Sequence, residues 1–233
     1  MIDQLFARAY RAWRENLGAL AVAGLIAWAI PIVIMLIVEG IAYIFGITDP
    51  ENIPYWAMII ASVASIALLN GFSIAANYAV RSGKREIGEM MRTAWKRTLE
   101  TSTALLFATF PAITGALLAL VVIAFLDETG GWLASVLSLL GVFGSVLVSL
   151  MPYQAAEHGW QDAMSRSIDA GKKVYITLLL LNFFFALIYI TLLSFFPSPE
   201  IGASALMIVD IFFLMHIRHQ TFFEVLDSVS ARE

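Results

Sequence analysis

The stretch RSGKREIGEMMRTAWKR, residues 81–97, carries six of the fourteen Lys and Arg residues of a 233-residue chain, and long apolar runs flank it on both sides. Its place in an alternation of basic and acidic connections decides the fold. Apolar runs at 17–47, 55–80, 103–126, 132–151, 174–196 and 201–217 each hold close to the roughly 20 residues that cross a bilayer as a helix. Pro31 stands in the first run and Pro111 in the third, and each predicts a kink. Three connections, GITDPENIP, DETGG and PSPE, contain Asp49, Glu51, Asp127, Glu128 and Glu200 but no Lys or Arg. The other two connections and the two ends hold Arg8, Arg11 and Arg14, the six residues of 81–97, Arg166, Lys172 and Lys173, and Arg218 and Arg232, which is every basic residue of the chain. In a six-span chain all of these share one side. The positive-inside bias places that side, with both termini, in the cytoplasm of a cell that keeps the protein in its inner membrane. A different span count would scatter the basic residues over both faces. The arginines before the first run imitate a signal peptide, but the run is far longer than a signal core, so a retained first span is expected.

Composition agrees. The chain is 60% hydrophobic and 14% charged, against roughly 25% charged in a soluble domain. It has no cysteine, which excludes disulfides and thiolate metal sites. The fold class is therefore all-α: a polytopic membrane protein in a single membrane domain, residues 1–233.

Within the opening stretch, Ile87, Met90, Met91, Ala94 and Trp95 recur at the spacing of one helix face, while Arg85, Glu89, Arg92 and Lys96 fall largely off it. Ile2, Leu5, Phe6, Ala9, Tyr10 and Trp13 repeat that spacing, as do Trp160, Ala163, Met164, Ser167, Ile168 and Gly171 with weaker apolarity. Three amphipathic helices at the cytoplasmic interface are predicted, each with one tryptophan (Trp13, Trp95, Trp160). Their candidate lipid- or partner-facing cations are Arg8, Arg11, Arg14, Arg85, Arg92, Lys96, Arg97, Arg166, Lys172 and Lys173.

AVRSGKREIGEMMRTAWKR and AAEHGWQDAMSRSIDAGKK also align without gaps, pairing Ala79 with Ala155, Gly83 with Gly159, Glu86 with Asp162 and Ala94 with Ala170. Units near 1–80, 81–156 and 157–233 are expected, each a surface helix followed by a transmembrane hairpin. Two spans per unit give all three the same orientation, hence a parallel pseudo-threefold repeat about the membrane normal.

Few residues carry chemistry. Asp210 sits inside the sixth run with no Lys or Arg in any run to pair with it, so it reads as a proton or cation relay or as a neutral acid bonded to a neighbouring helix. Glu39 faces Asp210 or lies at the outer interface, and the interface is favoured. Asn70, Asn77 and Asn182 read first as interhelical amide bonds and second as a solute path. Gly71, Ala75 and Ala79, and Gly141 with Ser145, are small-residue packing stripes. His158, His216 and His219 are the only histidines; His216 and His219 share one helix face, but a metal would need further ligands, and no two spans carry facing histidines for a haem. No phosphate loop, nucleophile elbow or HExxH pattern is present, so no catalytic residue, metal or cofactor is assigned. Nothing points to nucleic acid.

MPYQAAEHGWQDAMSRSIDAGKK, with YAVRSGKREIGEMMRTAWKR and the N-terminal FARAYRAWREN, resembles a superfamily of six-helix prokaryotic membrane proteins. That superfamily includes the membrane domain fused to some glycerophosphodiester phosphodiesterases and many uncharacterised inner-membrane proteins. The resemblance implies a six-helix bundle with cytoplasmic surface helices. The phosphodiesterase catalytic domain has no counterpart here, so its activity does not carry over. A non-catalytic membrane protein is expected, a lipid-associated scaffold or an accessory or assembly subunit of a larger membrane complex, with anionic headgroups and complex subunits as partners. The alternative is a small solute or ion transporter or channel using Asp210, and a third reading is a lipid-modifying enzyme acting at headgroups.

Overall fold

A computed structural model describes residues 2–126, 131–196 and 198–231, so Asp127, Glu128 and Arg232 lie outside the described residues. Among the described residues every regular element is helical. Its helices are α1 (Ile2–Glu15), α2 (Leu17–Ile44), α3 (Tyr55–Arg81), α4 (Ile87–Leu126), α5 (Gly131–Leu147), α6 (Met151–His158), α7 (Trp160–Ser194), α8 (Pro199–Val209) and α9 (Met215–Ser230), with a π-helical segment, Asp210–Leu214, joining α8 to α9. Six helical stretches are long and apolar enough to cross a membrane, with α5–α6 and α8–α9 each counting as one, so the chain is a multi-pass membrane protein.

The structure redraws three expected boundaries. Residues 87–97 do not form a separate surface helix; they are the first turns of α4, a 40-residue helix. At 1.5 Å per residue it is about 60 Å long, twice a hydrocarbon core of roughly 30 Å. No glycine or proline lies between Arg97 and Pro111 to stop it. Residues 160–173 likewise run into the fifth crossing as α7, separated only by a break at Val174 (φ −126°, ψ 21°). Only α1 is set apart, by Asn16, whose backbone (φ −123°, ψ 20°) nearly matches that break. The sixth crossing does not end near residue 217 but continues to Ser230. Hydropathy ends it early, at the polar run that begins with His216. In the fold those polar groups are buried against protein. The helices α2 and α4 run on through Pro31 and Pro111.

Turn chemistry fixes the ends. After α3, the Gly83 N–H bonds the Val80 carbonyl and the Lys84 N–H bonds the Ala79 carbonyl, a paired closure that needs Gly83 at φ 89°. Gly159, between α6 and α7, has φ 85°. Helices approach most closely at glycines. A Cβ on Gly71 would lie 2.0 Å from Ser102 Oγ, and one on Gly141 would lie 2.6 Å from the Pro111 carbonyl oxygen. These contacts hold α3 to α4 and α4 to α5.

Burial divides the bundle along its length. Leu36, Ile60, Phe110, Leu117, Leu140, Phe183 and Ile190 are among a belt of exposed large apolar side chains, as lipid contact requires. Towards the basic end, alternate crossings turn inward. Residues 67–80, 146–156 and 214–229 are mostly buried, α9 almost all round. Around them pack α1, the first turns of α4 and the first half of α7: Leu5 joins Tyr153, Phe222 and Leu226 in one cluster, and Met90 and Ala94 join Phe72, Ala76 and Val80 in another.

The π segment is where the sixth crossing changes character. The Met215 N–H bonds the Asp210 carbonyl five residues back, inserting one extra residue in the turn. The Phe212 carbonyl accepts the Trp13 indole N–H at 2.8 Å. The Ile211 carbonyl comes so close to α2 that a Cβ on Gly24 would sit 2.2 Å from it.

Candidate functional site

Two surfaces collect the polar residues of the chain. The first is the basic end. Arg11, Arg14, Arg85, Arg92, Lys96 and Arg166 are exposed and, among the described residues, form no ion pair. Lys172 and Lys173 are also exposed; Lys172 has Asp169 at 3.9 Å, and Arg97 holds Glu100 at 2.9 Å. Arg8 behaves differently: it reaches Glu224 at 3.6 Å, docking α1 on α9. The three tryptophans each touch a crossing. Trp13 is half-buried, edge-on to Phe213; Trp95 lies 4.9 Å from Phe72; Trp160 stacks on Phe107 at 6.2 Å. The outward rims of Trp95 and Trp160 stay exposed.

At this end sequence reasoning missed Glu224 and Asp227. Arg81 bonds Glu224 at 2.8 Å and also pairs with Asp227, its guanidinium lying over the Phe223 ring. Thus α3, α9 and α1 are joined through Glu224, which Arg81 and Arg8 share. The signal was present in TFFEVLDSVS, where Phe222, Phe223, Val225, Leu226 and Val229 continue an apolar face past the first polar residues.

The second surface is internal. His216 Nδ1 and Asn77 Nδ2 are 2.9 Å apart, and Gln220 Nε2 donates to Asn77 Oδ1 at 3.0 Å. His219 Nδ1 meets the Tyr153 hydroxyl at 2.9 Å. The two histidines therefore turn to different neighbours, and among the described residues no three His, Asp or Glu side chains converge as metal ligands. Beside this network lies a cavity of about 130 Å³. Its polar lining comes from Asn70, Thr109, Ser145, Ser149, Tyr153, Asn182, Arg218 and His219, drawn from every crossing but the first. Asn70 and Asn182 each donate to their own helix, at Ile66 and Leu178, which leaves their carbonyl oxygens for the cavity. Asn77 is the amide that bridges helices. Arg218, which sequence position assigns to the C-terminal end, instead faces this cavity.

Asp210 is 7% exposed, accepts the Tyr189 hydroxyl and has the Trp28 indole alongside. Tyr189 also lies within reach of Arg218. Glu39 is exposed on α2, and among the described residues it forms no ion pair or hydrogen bond with Asp210.

No family model, curated protein or solved structure matches the chain.

Proposed function

We propose that the protein is a non-catalytic membrane protein whose cytoplasmic face associates with anionic lipid, acting as a lipid-associated scaffold or as an accessory subunit of a membrane complex. One observation carries this reading: Arg11, Arg14, Arg85, Arg92, Lys96 and Arg166 stand exposed at the end of the bundle where every helix junction is basic, without a carboxylate partner among the described residues. A juxtamembrane Lys or Arg gains about 1 kcal/mol near an anionic leaflet, so six to eight outweigh the entropy of one orientation. The first turns of α4 and α7, with α1, then serve as three interfacial segments, their inner faces on the core and their outer faces on headgroups. The superfamily resemblance belongs with this reading and rests on the quoted residues.

A threefold repeat underlies it. Supporting this are the paired positive φ at Gly83 and Gly159, the matching backbone at Asn16 and Val174, and the three inward-turned segments that the three basic segments surround. The test is charge reversal: R92E, K96E and R97E together should reduce retention of anionic lipid and of any co-purifying subunit. Unchanged lipid content and unchanged co-purification exclude the proposal.

Solute or ion passage is the second reading, favoured by Asp210 being buried in the sixth crossing beside Tyr189 and, through it, Arg218. Proteoliposome flux that D210N abolishes would establish it; absence of flux across a panel of ions and small polar solutes would remove it.

A further inference from the structure

The cavity facing Arg218 and the groove beside it share Ser145 and Asn182 in their walls. A guanidinium carries a permanent positive charge and recognises phosphate or carboxylate by two parallel hydrogen bonds. Among the described residues Arg218 forms no ion pair, and its polar neighbours are the Tyr189 hydroxyl and, behind it, Asp210. Next to it, His219 is 1% exposed, bonded at Nδ1 to Tyr153 and unpartnered at Nε2. A buried polar nitrogen without a partner is costly, and a ligand oxygen would satisfy it. At roughly 30 Å³ per water, about 130 Å³ exceeds one or two solvent molecules and suits a compact charged group.

The second observation is what borders this chamber. Ser145 and Asn182 also line a mostly apolar groove of about 340 Å³ between α5 and α7, with Val142, Leu179 and Phe183. Phe183 is 68% exposed and belongs to the lipid belt. An occupant spanning both parts needs an anionic head and an apolar tail, joined where Ser145 and Asn182 stand. A free anion would leave the groove unused, and a neutral lipid would offer Arg218 no negative charge beyond that of Asp210.

We propose that this is a specific site for a phospholipid with an exposed phosphate, its headgroup at Arg218 and one acyl chain in the α5–α7 groove. The site deepens the lipid-associated reading above and rests on it. Tyr189 sets the poise of the site, since its hydroxyl bonds Asp210 and lies within reach of Arg218. Asp210 and the lipid phosphate are then competing counterions for one cation.

The experiment is thermal stabilisation and native mass spectrometry of the full chain, purified without lipid in mild detergent. The titrants are phosphatidic acid, phosphatidylcholine and diacylglycerol of equal acyl length, and inorganic phosphate. Phosphatidic acid should stabilise the parent and remain bound; R218Q should weaken it about tenfold, a loss of 1.4 kcal/mol. R218K, which keeps the charge but not the fork, should fall between and guards against misfolding of R218Q. S145L should block the tail, and D210N should tighten binding by removing the competitor. Equal stabilisation by all four titrants, an inorganic phosphate response matching that of phosphatidic acid, or an R218Q and R218K response equal to the parent overturns the site. The R92E/K96E/R97E variant separates the two proposals: it should lose bulk anionic lipid yet keep the phosphatidic acid response.

Discussion

Arg81→Ala tests how the basic end is held. Glu224 is 9% exposed at its side chain and bonds Arg81 at 2.8 Å; its other cation, Arg8, is 3.6 Å away and more than half exposed. Removing one member of a buried pair costs about 3–5 kcal/mol, because the remaining charge has lost both water and partner. Arg81 is itself 21% exposed and Arg8 stays nearby, so the lower limit applies, about 3 kcal/mol. For a chain of this size that is a fall of roughly 6–12 °C in melting temperature. The E224Q substitution removes the charge without the volume and keeps Arg81 on Asp227, so alone it should cost about 1 kcal/mol. The double variant R81A/E224Q should therefore cost about 2 kcal/mol, less than R81A alone. Thermal melts of all four proteins in one detergent complete the cycle, with a coupling of about 2 kcal/mol expected. Additive losses, or an R81A variant that melts with the parent, would show that Arg81 does not carry this junction.

Three further outcomes follow from named contacts. G71V places a side chain where Ser102 already lies and should cost about 1–3 kcal/mol in thermal melts, whereas G40A, with nothing within 4 Å, should be neutral. N77L removes the partner of both His216 and Gln220 and should destabilise by about 2–3 kcal/mol, while N70L, whose amide bonds only its own helix, should lose under about 1 kcal/mol. Because the chain has no cysteine, E51C and R85C can each be labelled alone: a membrane-impermeant maleimide on intact cells should modify the first and spare the second.

The number of crossings was legible because two independent patterns agree: six apolar runs, and basic residues confined to alternate connections. The interior was not. Hydropathy scores a residue by its own polarity, so Arg218, Gln220 and Glu224 read as the end of a span, although their helix is buried among its neighbours. Asn70, Asn77 and Asn182 look alike in sequence, yet one bridges two helices and two line a cavity. That difference depends on which face of α3 meets α9, a long-range contact that local periodicity does not encode. The surface segments were visible as apolar stripes. Their continuity with α4 and α7 was not, since an apolar stripe does not record where a helix stops.

The π segment has a consequence for how this chain tolerates change. Each residue of an α-helix advances about 100° around its axis. The extra residue within Asp210–Leu214 therefore sets the rotation of everything after it, turning His216, Gln220 and Glu224 towards Asn77 and Arg81. Inserting one further residue after Phe212 would leave hydropathy, charge and crossing count almost unchanged, yet dial the final helix about a quarter-turn away from every partner it has, whereas deleting Phe212 would let the Met215 N–H close an ordinary α-helical bond to the Asp210 carbonyl and keep that face. Length at this point, more than the identity of any single side chain, is the coordinate on which the polar interior depends.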